Sequence, residues 1–296
     1  MRRRLGQSAA LLFALLLLFG ACAGNPSQGQ AQGAETYELT VLATNDLHGH
    51  IDTLPEYAAI IEQVRGEREH VLLLDAGDIF RRGPHEKERG AVEIAQFNRM
   101  GYDALVLGNG DIKVPYDPDA EEGPGFLEES EAQIADLVKW AEFPILCGNV
   151  TLKDSGAYME NVLPYVLLGA GALTIGVIGV TNMQPAELKL EEAANKDFVR
   201  GDRAVKELLP EVRAGSDIQI VLSHAGWNVD KRIKGVSAVI GGHDHKILEN
   251  AKNRYGVPVT QGGGEDKHYL SRLDLTFALI NGEWILQKSF GSLYEA

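Results

Sequence analysis

Short clusters of aspartate, asparagine and histidine recur at five places in the 296-residue chain, and each holds side chains that could ligate a metal ion. The clusters are Asn45-Asp46-Leu47-His48, Gly77-Asp78, Gly108-Asn109, Ser223-His224 and Gly241-Gly242-His243-Asp244-His245. The candidate ligands are Asp46, His48, Asp78, Asn109, His224, His243 and His245. Because this set combines carboxylates, an amide and imidazoles without a thiolate, it suits Mn, Fe or Zn better than a structural cysteine-type zinc site.

The size of the ligand set indicates two divalent metal ions. Seven side chains are too many for one ion that must keep a position open, but they suffice for two ions if one carboxylate bridges them. Two cations about 3.5–4 Å apart can bind a phosphoryl group, activate a water and neutralise the charge of the transition state. A single histidine at a strand end is more often a hydrogen-bonded loop residue, but five such clusters in one chain favour a metal site.

Each cluster directly follows a short apolar run rich in β-branched residues, which predicts a strand before it. Helical periodicity between several runs, as in Leu54–Arg68, predicts an α/β domain with helices packed on the faces of a sheet. The carboxyl ends of parallel strands line one crevice, so side chains distant in sequence can converge there. The predicted strands are Leu39–Thr44, Val71–Asp75, Ala104–Leu107, Pro144–Leu146, Ile218–Ser223, Ser237–Ile240 and Val257–Thr260.

Other segments predict helices and two antiparallel hairpins. Asp202 is the expected N-cap of one of these helices, because an aspartate there can accept a hydrogen bond from the first turn. One hairpin is predicted around Gly169-Ala170-Gly171 and another around Asn281-Gly282, which is a strong turn signal. The predicted helices are Ala91–Met100, Ala132–Ala141 and Asp202–Arg213, and the hairpin strands are Tyr165–Leu168 with Leu173–Val180 and Leu270–Leu279 with Glu283–Phe290.

In order and composition, the five clusters resemble the metal-binding motifs of the calcineurin-like metallophosphoesterases. The flanking residues are most similar to the 5′-nucleotidase branch of that family, as in Ala43-Thr44-Asn45-Asp46-Leu47-His48-Gly49-His50 and Asp75-Ala76-Gly77-Asp78-Ile79-Phe80. The resemblance implies a two-sheet αββα sandwich for residues 37–296, with mixed parallel strands and hairpins. It also implies one ion held by Asp46, His48 and His245, a second held by Asn109, His224 and His243, and Asp78 bridging both.

The chain departs from the family at the asparagine motif. The family reads Gly-Asn-His-Asp or Gly-Asn-His-Glu, whereas this chain reads Gly108-Asn109-Gly110-Asp111. In the family the histidine stabilises the transition state or protonates the leaving oxygen, and in this branch an aspartate orients it from a position where this chain has Lys113. Acid catalysis of this kind is typically worth about 10²–10⁴ in rate. We therefore expect slow or substrate-restricted turnover, and we assign no catalytic residue.

Basic side chains near the clusters could replace part of the missing chemistry. Arg81, Arg82 and His85 follow Gly77-Asp78 in a loop that should border the metal site, and His50 stands close to His48. An arginine can bind an oxyanion through two parallel hydrogen bonds. An exposed basic loop explains the two arginines equally well, and a surface position is the simpler interpretation of His85.

The sequence predicts a dimetal hydrolase of phosphate monoesters, similar to 5′-nucleotidases, that acts on a small anionic substrate. Two alternatives stay open: a catalytically degenerate protein that binds metal or an anion, and a hydrolase similar to the thiosulfohydrolases of the same branch. Full 5′-nucleotidases carry a further C-terminal domain that stacks on the base, so the resemblance implies no nucleotide specificity for this chain. A formal net charge of −14 argues against nonspecific nucleic-acid binding.

The first residues have the pattern of an export signal. A basic start is followed by the apolar run Ala9–Phe19, which is too short to cross a bilayer as a helix. Small residues precede Cys22 and resemble a bacterial lipobox, which predicts a signal peptide over 1–21, acylation of Cys22 and a flexible tether over 22–36. The protein would then be anchored by lipid to a bacterial membrane, facing the periplasm or the cell exterior. The alternative is a plain signal peptide with an incidental Cys22.

Overall fold

The computed structural model describes residues 35–112, 126–182, 195–264 and 267–295, and in it the apolar runs form twelve strands of one continuous mixed sheet and a separate two-stranded pair. The strands are β1 (Thr36–Thr44), β2 (Val71–Asp75), β3 (Ala104–Val106), β4 (Ile145–Leu146), β5 (Val150–Leu152), β6 (Tyr165–Ala170), β7 (Leu173–Thr181), β8 (Lys196–Phe198), β9 (Ile218–His224), β10 (Ala238–Gly241), β11 (Ile247–Lys252), β12 (Pro258–Gly264), β13 (Lys267–Ile280) and β14 (Glu283–Glu295). The helices are α1 (Leu54–Glu67), α2 (Ala91–Met100), α3 (Asn109–Ile112), α4 (Phe126–Trp140), α5 (Gly201–Ala214) and α6 (Trp227–Asp230).

The continuous sheet consists of two halves that join at a corner. One half has the order β4-β3-β2-β1-β13, with β14 also paired to β13, and the other has the order β12-β10-β9-β7-β6, with β11 beside β12. Strands β1 to β4 are parallel, as are β7, β9, β10 and β12. Among the described residues, the strand pairing that joins the halves is that of Gly263 and Gly264 with His268 and Lys267. Two parallel sets therefore present their carboxyl ends near one corner.

Three apolar layers show that the halves stack as a sandwich with helices outside. On β1, Val41 belongs to the layer between the halves, whereas its neighbour Leu42 packs in a layer with Tyr57 of α1 and Phe97 of α2. A third layer joins the outer face of β9 to α5. Successive strand residues point to opposite faces, so an unbroken apolar run can supply both layers. The predicted α/β class and αββα sandwich are confirmed.

The predicted strands are confirmed, and both antiparallel hairpins form as expected. Asn281 and Gly282 have φ values of 53° and 84°, as a two-residue hairpin turn requires. Cys147 is fully buried, and burial raises the pKa of its thiol to about 12, so it is a structural thiol. In the described part of the chain no helix is long and apolar enough to cross a membrane.

Two details of the helix predictions are wrong, and several other predictions fall outside the described residues. Helix α5 begins at Gly201, and Asp202 does not cap it, because its Oδ2 accepts a hydrogen bond from the Arg200 guanidinium at 2.9 Å instead. Helix α4 begins at Phe126, earlier than predicted. The signal peptide, Cys22 and Lys113 lie outside the described residues.

Candidate metal centre

The two parallel strand sets bring the five predicted clusters to one place. Asp46 and His48 follow β1, Asp78 follows β2, and Asn109 begins α3 just after β3. In the other half of the sheet, His224 ends β9, and the His243-Asp244-His245 loop follows β10. Each candidate ligand is thus fixed by the end of a buried strand.

Five of the seven candidate ligands have a backbone conformation that is rare for residues other than glycine. Their φ values are 49° for Asp46, 45° for His48, 59° for Asp78, 83° for His243 and 51° for His245. Residues held in this region cost about 1–3 kcal/mol each and persist only where surrounding contacts fix them. Such strain at adjacent polar side chains is typical of a functional site.

Hydrogen bonds between the loops supply those contacts. The backbone N–H of Asp46 donates to the Gly77 carbonyl at 2.8 Å, and that of His48 donates to the Asp78 carbonyl at 2.9 Å. A third connection is made by Asp111, whose buried carboxylate accepts the backbone N–H groups of Asp78 at 2.9 Å and of Gly108 at 2.8 Å. The turns after β1, β2 and β3 therefore hold one another in register.

Asp46, His48 and His245 form a first group of metal-ligating atoms. His245 Nε2 lies 3.5 Å from Asp46 Oδ1 and 3.2 Å from His48 Nε2. Asp46 and His48 are buried, and His245 is partly exposed. One ligand atom from each lies within 4.8 Å of the others, a spacing that could hold one metal ion.

Asp46, Asp78 and His224 form a second group that meets the same distance limit. His224 Nε2 lies 3.5 Å from Asp78 Oδ2 and 4.0 Å from Asp46 Oδ1, and all three residues are buried. Asp78 Oδ2 is also 3.9 Å from His48 Nε2 in the first group. Both carboxylates consequently lie between the two groups.

The remaining candidates, Asn109 and His243, stand at the edge of the second group. Asn109 is 7% exposed, its Oδ1 is buried without a hydrogen-bond partner, and the next residue along the chain donates its N–H to Asp78. The His243 backbone N–H donates to Asp46 Oδ2 at 2.9 Å, and its ring centre lies 5.1 Å from that of His224. The structure thus gathers all seven predicted residues, while their distribution over individual ions stays a prediction.

Neighbouring groups orient the imidazole rings. His224 Nδ1 is 2.6 Å from the Ala76 carbonyl, and His48 Nδ1 is 3.0 Å from the Arg81 carbonyl. In both rings Nε2 consequently faces the carboxylates. Contacts of this kind fix the tautomer of a metal-ligating histidine and raise its basicity.

The charges of the cluster favour a cation. Burial alone would raise the pKa of Asp78, but the charges of His224 and His48 outweigh it and lower that pKa below its usual range. Burial alone would lower the pKa of His224, but the charges of Asp78 and Asp46 outweigh it and raise that pKa to about 10. With its carboxylate and imidazole donors and the orphaned Asn109 oxygen, the cluster fits divalent metal ions.

Two side chains that belong to none of the five sequence clusters also contact the candidate ligands. Arg82 Nη2 lies 3.1 Å from His48 Nε2, so the loop suggested to border the site does place one arginine there. Asn182, which the sequence interpretation missed, has its Nδ2 2.6 Å from His243 Nε2. It directly follows β7, and a polar residue just after a predicted strand was the signal that could have identified it.

The other residues singled out in the sequence lie at the rim or elsewhere. The His50 ring packs on His268 with ring centres 5.2 Å apart, and His85 precedes a short 3-10 turn at Glu86–Glu88. Asp244 turns away from the ligands, because its Oδ2 accepts from the Trp227 backbone N–H at 3.1 Å and from Lys246.

Comparison with known proteins agrees with this geometry. Residues 39–247 match the family model described as calcineurin-like phosphoesterase. The chain is 31% identical to the 5′-nucleotidase of Bos taurus, over 73% of this chain and 39% of that protein. It is 28% identical to the trifunctional nucleotide phosphoesterase protein YfkN of Bacillus subtilis, over 81% of this chain and 18% of that protein. The 5′-nucleotidase precursor from Thermus thermophilus superimposes with a TM-score of 0.68 at 25% identity, over 88% of this chain and 55% of that one.

The chain therefore spans less than half the length of these two sequence relatives. The expected resemblance to the 5′-nucleotidase branch is confirmed. The interpretation as a metal-dependent phosphoesterase is confirmed at the level of the family. The family model covers most of the chain and its motifs coincide with the buried cluster, so the chain belongs to the calcineurin-like phosphoesterase family.

Proposed function

We propose that this chain hydrolyses phosphate monoesters with two divalent metal ions, Mn, Fe or Zn, held in the buried cluster. The observation that carries the proposal is the convergence of two three-residue ligand groups that share Asp46. Asp46, His48 and His245 would hold the first ion, and Asn109, His224 and His243 the second, with Asp78 between them. Bound there, the ions would supply charge neutralisation and an activated water.

The protein's own groups would orient this centre and receive the substrate. Asn45 Nδ2 donates to Asp46 Oδ2 at 2.7 Å, and the Gly110 backbone N–H donates to Asp78 Oδ1 at 2.5 Å. Each carboxylate is thereby oriented by a neighbouring N–H group. Arg82, beside His48, places a fixed positive charge where an anionic phosphate would enter. Small anionic esters are the substrates that this combination suits.

Phosphatase activity of the full chain tests the proposal. The protein is stripped of metal, reloaded with Mn²⁺ and given p-nitrophenyl phosphate, and the variant Asp78→Asn is compared with Asp154→Asn, a control on an exposed turn. We expect metal-dependent hydrolysis that Asp78→Asn lowers by at least ~10³ and Asp154→Asn leaves unchanged. Mn²⁺ binding without any hydrolysis of phosphate esters would favour the degenerate binding protein. Hydrolysis of thiosulfate conjugates alone would favour the thiosulfohydrolase-like alternative.

We also propose that the protein is exported and anchored to the membrane through an acylated Cys22. The proposal is supported by the basic start, the apolar run and the small residues before this cysteine. Labelling of cells with radioactive palmitate tests it. We expect label on the wild-type chain and none on Cys22→Ser, whereas label on both would contradict acylation at this residue.

A further inference from the structure

Gly110 stands where the family carries its histidine, and the structure leaves no room for a side chain at this position. Gly110 lies in α3, and its backbone N–H makes a 2.5 Å hydrogen bond to Asp78 Oδ1. A Cβ atom at Gly110 would stand 2.8 Å from that oxygen, closer than real Cβ contacts come, and 3.1 Å from the Asp78 carboxyl carbon, which is tighter than most of them. The main chain of α3 therefore occupies the space against Asp78, and a side chain fits there only if the carboxylate moves.

The groups that reach the cluster from outside do not replace an acid. Among the described residues, the side chains with hydrogen bonds into the cluster are Asn45, Arg82, Asp111 and Asn182. Asp111 is fully buried, and its carboxylate accepts the backbone N–H groups of Asp78, Ile79 and Gly108, so it faces the main chain and not a departing oxygen. An amide gives up no proton, and a guanidinium keeps its proton at neutral pH. Arg82 can neutralise phosphate oxygens, but it does not protonate a departing oxygen. The histidines of the cluster are committed to the proposed metal ions.

The identity of the leaving group decides how much a missing acid matters. Water attacks phosphorus, the bond from phosphorus to the leaving oxygen breaks with its electron pair on that oxygen, and the protons of the water stay with the phosphate product. An alkoxide resembles hydroxide in being far more basic than a phenolate, and it departs slowly unless it is protonated. A phenolate, with a conjugate acid of pKa about 10, or a phosphate, with a pKa of about 6, departs as an anion.

On this basis we propose that the site selects substrates whose leaving group is a stable anion, namely aryl phosphates and phosphoanhydrides, over alkyl phosphates. The inference rests on the proposed phosphoesterase function and narrows its substrate class. Among nucleotides, the terminal phosphate of a nucleoside diphosphate is the favoured group, and a nucleoside 5′-monophosphate, whose leaving group is an alkoxide, is a poor substrate.

A matched substrate pair tests the selection. Full-length protein loaded with Mn²⁺ is given phenyl phosphate and benzyl phosphate, which are close in size and differ in the acidity of the leaving group. We expect kcat/KM to be at least ~100-fold higher for phenyl phosphate, in line with the usual effect of a general acid, about 10²–10⁴. Binding of phenylphosphonate and benzylphosphonate, measured by calorimetry, should agree within about threefold, because the discrimination arises in bond breaking.

The outcomes separate this inference from the proposed function. Ratios of kcat/KM below about tenfold would overturn the selection and leave a phosphoesterase. Hydrolysis of neither ester by protein that binds Mn²⁺ would overturn the proposed function, and the selection with it. A difference of about a hundredfold in phosphonate affinity would also overturn the inference, because the site would then discriminate by shape.

A second measurement, independent of activity, tests whether the position is closed. Gly110→Ala should weaken Mn²⁺ binding at least tenfold by calorimetry, because its methyl group displaces Asp78. Gly66→Ala is the control, since a Cβ there meets nothing within 4 Å, and it should change Mn²⁺ affinity less than twofold. Thermal melts of both variants report folding. Unchanged affinity in folded Gly110→Ala would overturn the claim that position 110 has no room for a side chain, whereas the ester pair decides the selection by leaving group.

Discussion

Replacement of Arg82 by alanine should move metal affinity and catalysis in opposite directions. Arg82 Nη2 lies 3.1 Å from His48 Nε2, the nitrogen that also faces Asp78 and His245. A guanidinium there competes with a metal ion for the same nitrogen. Once the ions are in place, the same positive charge can serve the anionic substrate instead.

The two effects have different sizes. A typical hydrogen bond contributes about 1 kcal/mol, so loss of the Arg82 contact to His48 should tighten Mn²⁺ binding by about fivefold. Hydrogen bonds to charged groups contribute about 1.5–3 kcal/mol, so loss of the contact to a phosphate should lower kcat/KM by about 10- to 150-fold. Arg82→Lys keeps the charge and loses the paired geometry, so we expect it to fall between the wild type and the alanine variant.

Calorimetry with Mn²⁺ and steady-state kinetics with p-nitrophenyl phosphate measure both effects on the same preparations. Arg254→Ala, on an exposed arginine of the loop after β11, controls for loss of a positive charge. The reasoning is refuted if Arg82→Ala weakens Mn²⁺ binding, or if kcat/KM stays within about threefold of the wild type. Either result would indicate that Arg82 stabilises its loop and does not act on the metal ions or the substrate.

Three further predictions concern other parts of the molecule. Asn182→Ala should tighten the second equivalent of Mn²⁺ by about fivefold by calorimetry, because the Asn182 amide competes for His243 Nε2 as Arg82 does for His48 Nε2, and weaker binding would contradict this reasoning. Burial raises the pKa of Glu93 to about 7 from an ordinary 4.5, so the folded state holds a proton that the unfolded chain releases and stability falls as pH rises from about 4.5 to 7. Glu93→Gln should therefore raise the free energy of unfolding in urea by about 3 kcal/mol at pH 8 and by much less at pH 5, and equal gains at both pH values would contradict the pKa shift. Gly282→Ala should lower the free energy of unfolding in urea by about 1 kcal/mol, because φ at Gly282 is 84°. Gly169→Ala is the control, since a Cβ there is equally free of contacts and φ is not positive, and it should change the free energy of unfolding by less than about 0.5 kcal/mol.

The strands and the convergence of the candidate ligands were predictable because each is marked by a local sequence pattern. A run such as Val71–Asp75 is apolar on both faces, which only a strand buried between layers requires, and the polar cluster after it marks the strand end. The left-handed backbone conformation at His48 or Asp78 is not marked by any local sequence pattern. Histidine and aspartate rarely adopt it, and here the hydrogen bonds between the loops after β1 and β2 impose it.

The errors have physical causes of the same kind. Asp202 has the right residue type for an N-cap, but the neighbouring Arg200 guanidinium offers its carboxylate a charged partner, and the helix starts one residue before the aspartate. Asn182 was missed because its role is defined by a partner 61 residues away, His243, and an isolated asparagine after a strand is also a common loop residue.

The proposed selection at Gly110 would explain how a chain can be related in sequence to 5′-nucleotidases and still differ from them in substrate. Positive charges around a phosphate stabilise its oxygens whatever group departs, so the buried cluster with its metal ions and Arg82 would favour phosphate esters in general. A proton donor acts on the departing oxygen alone, and its value grows with the basicity of that oxygen. On the proposed mechanism, a site without the donor would bind phosphate as before and lose the substrates with the most basic leaving groups. The nucleoside monophosphates cleaved by 5′-nucleotidases belong to that group, because each releases an alkoxide.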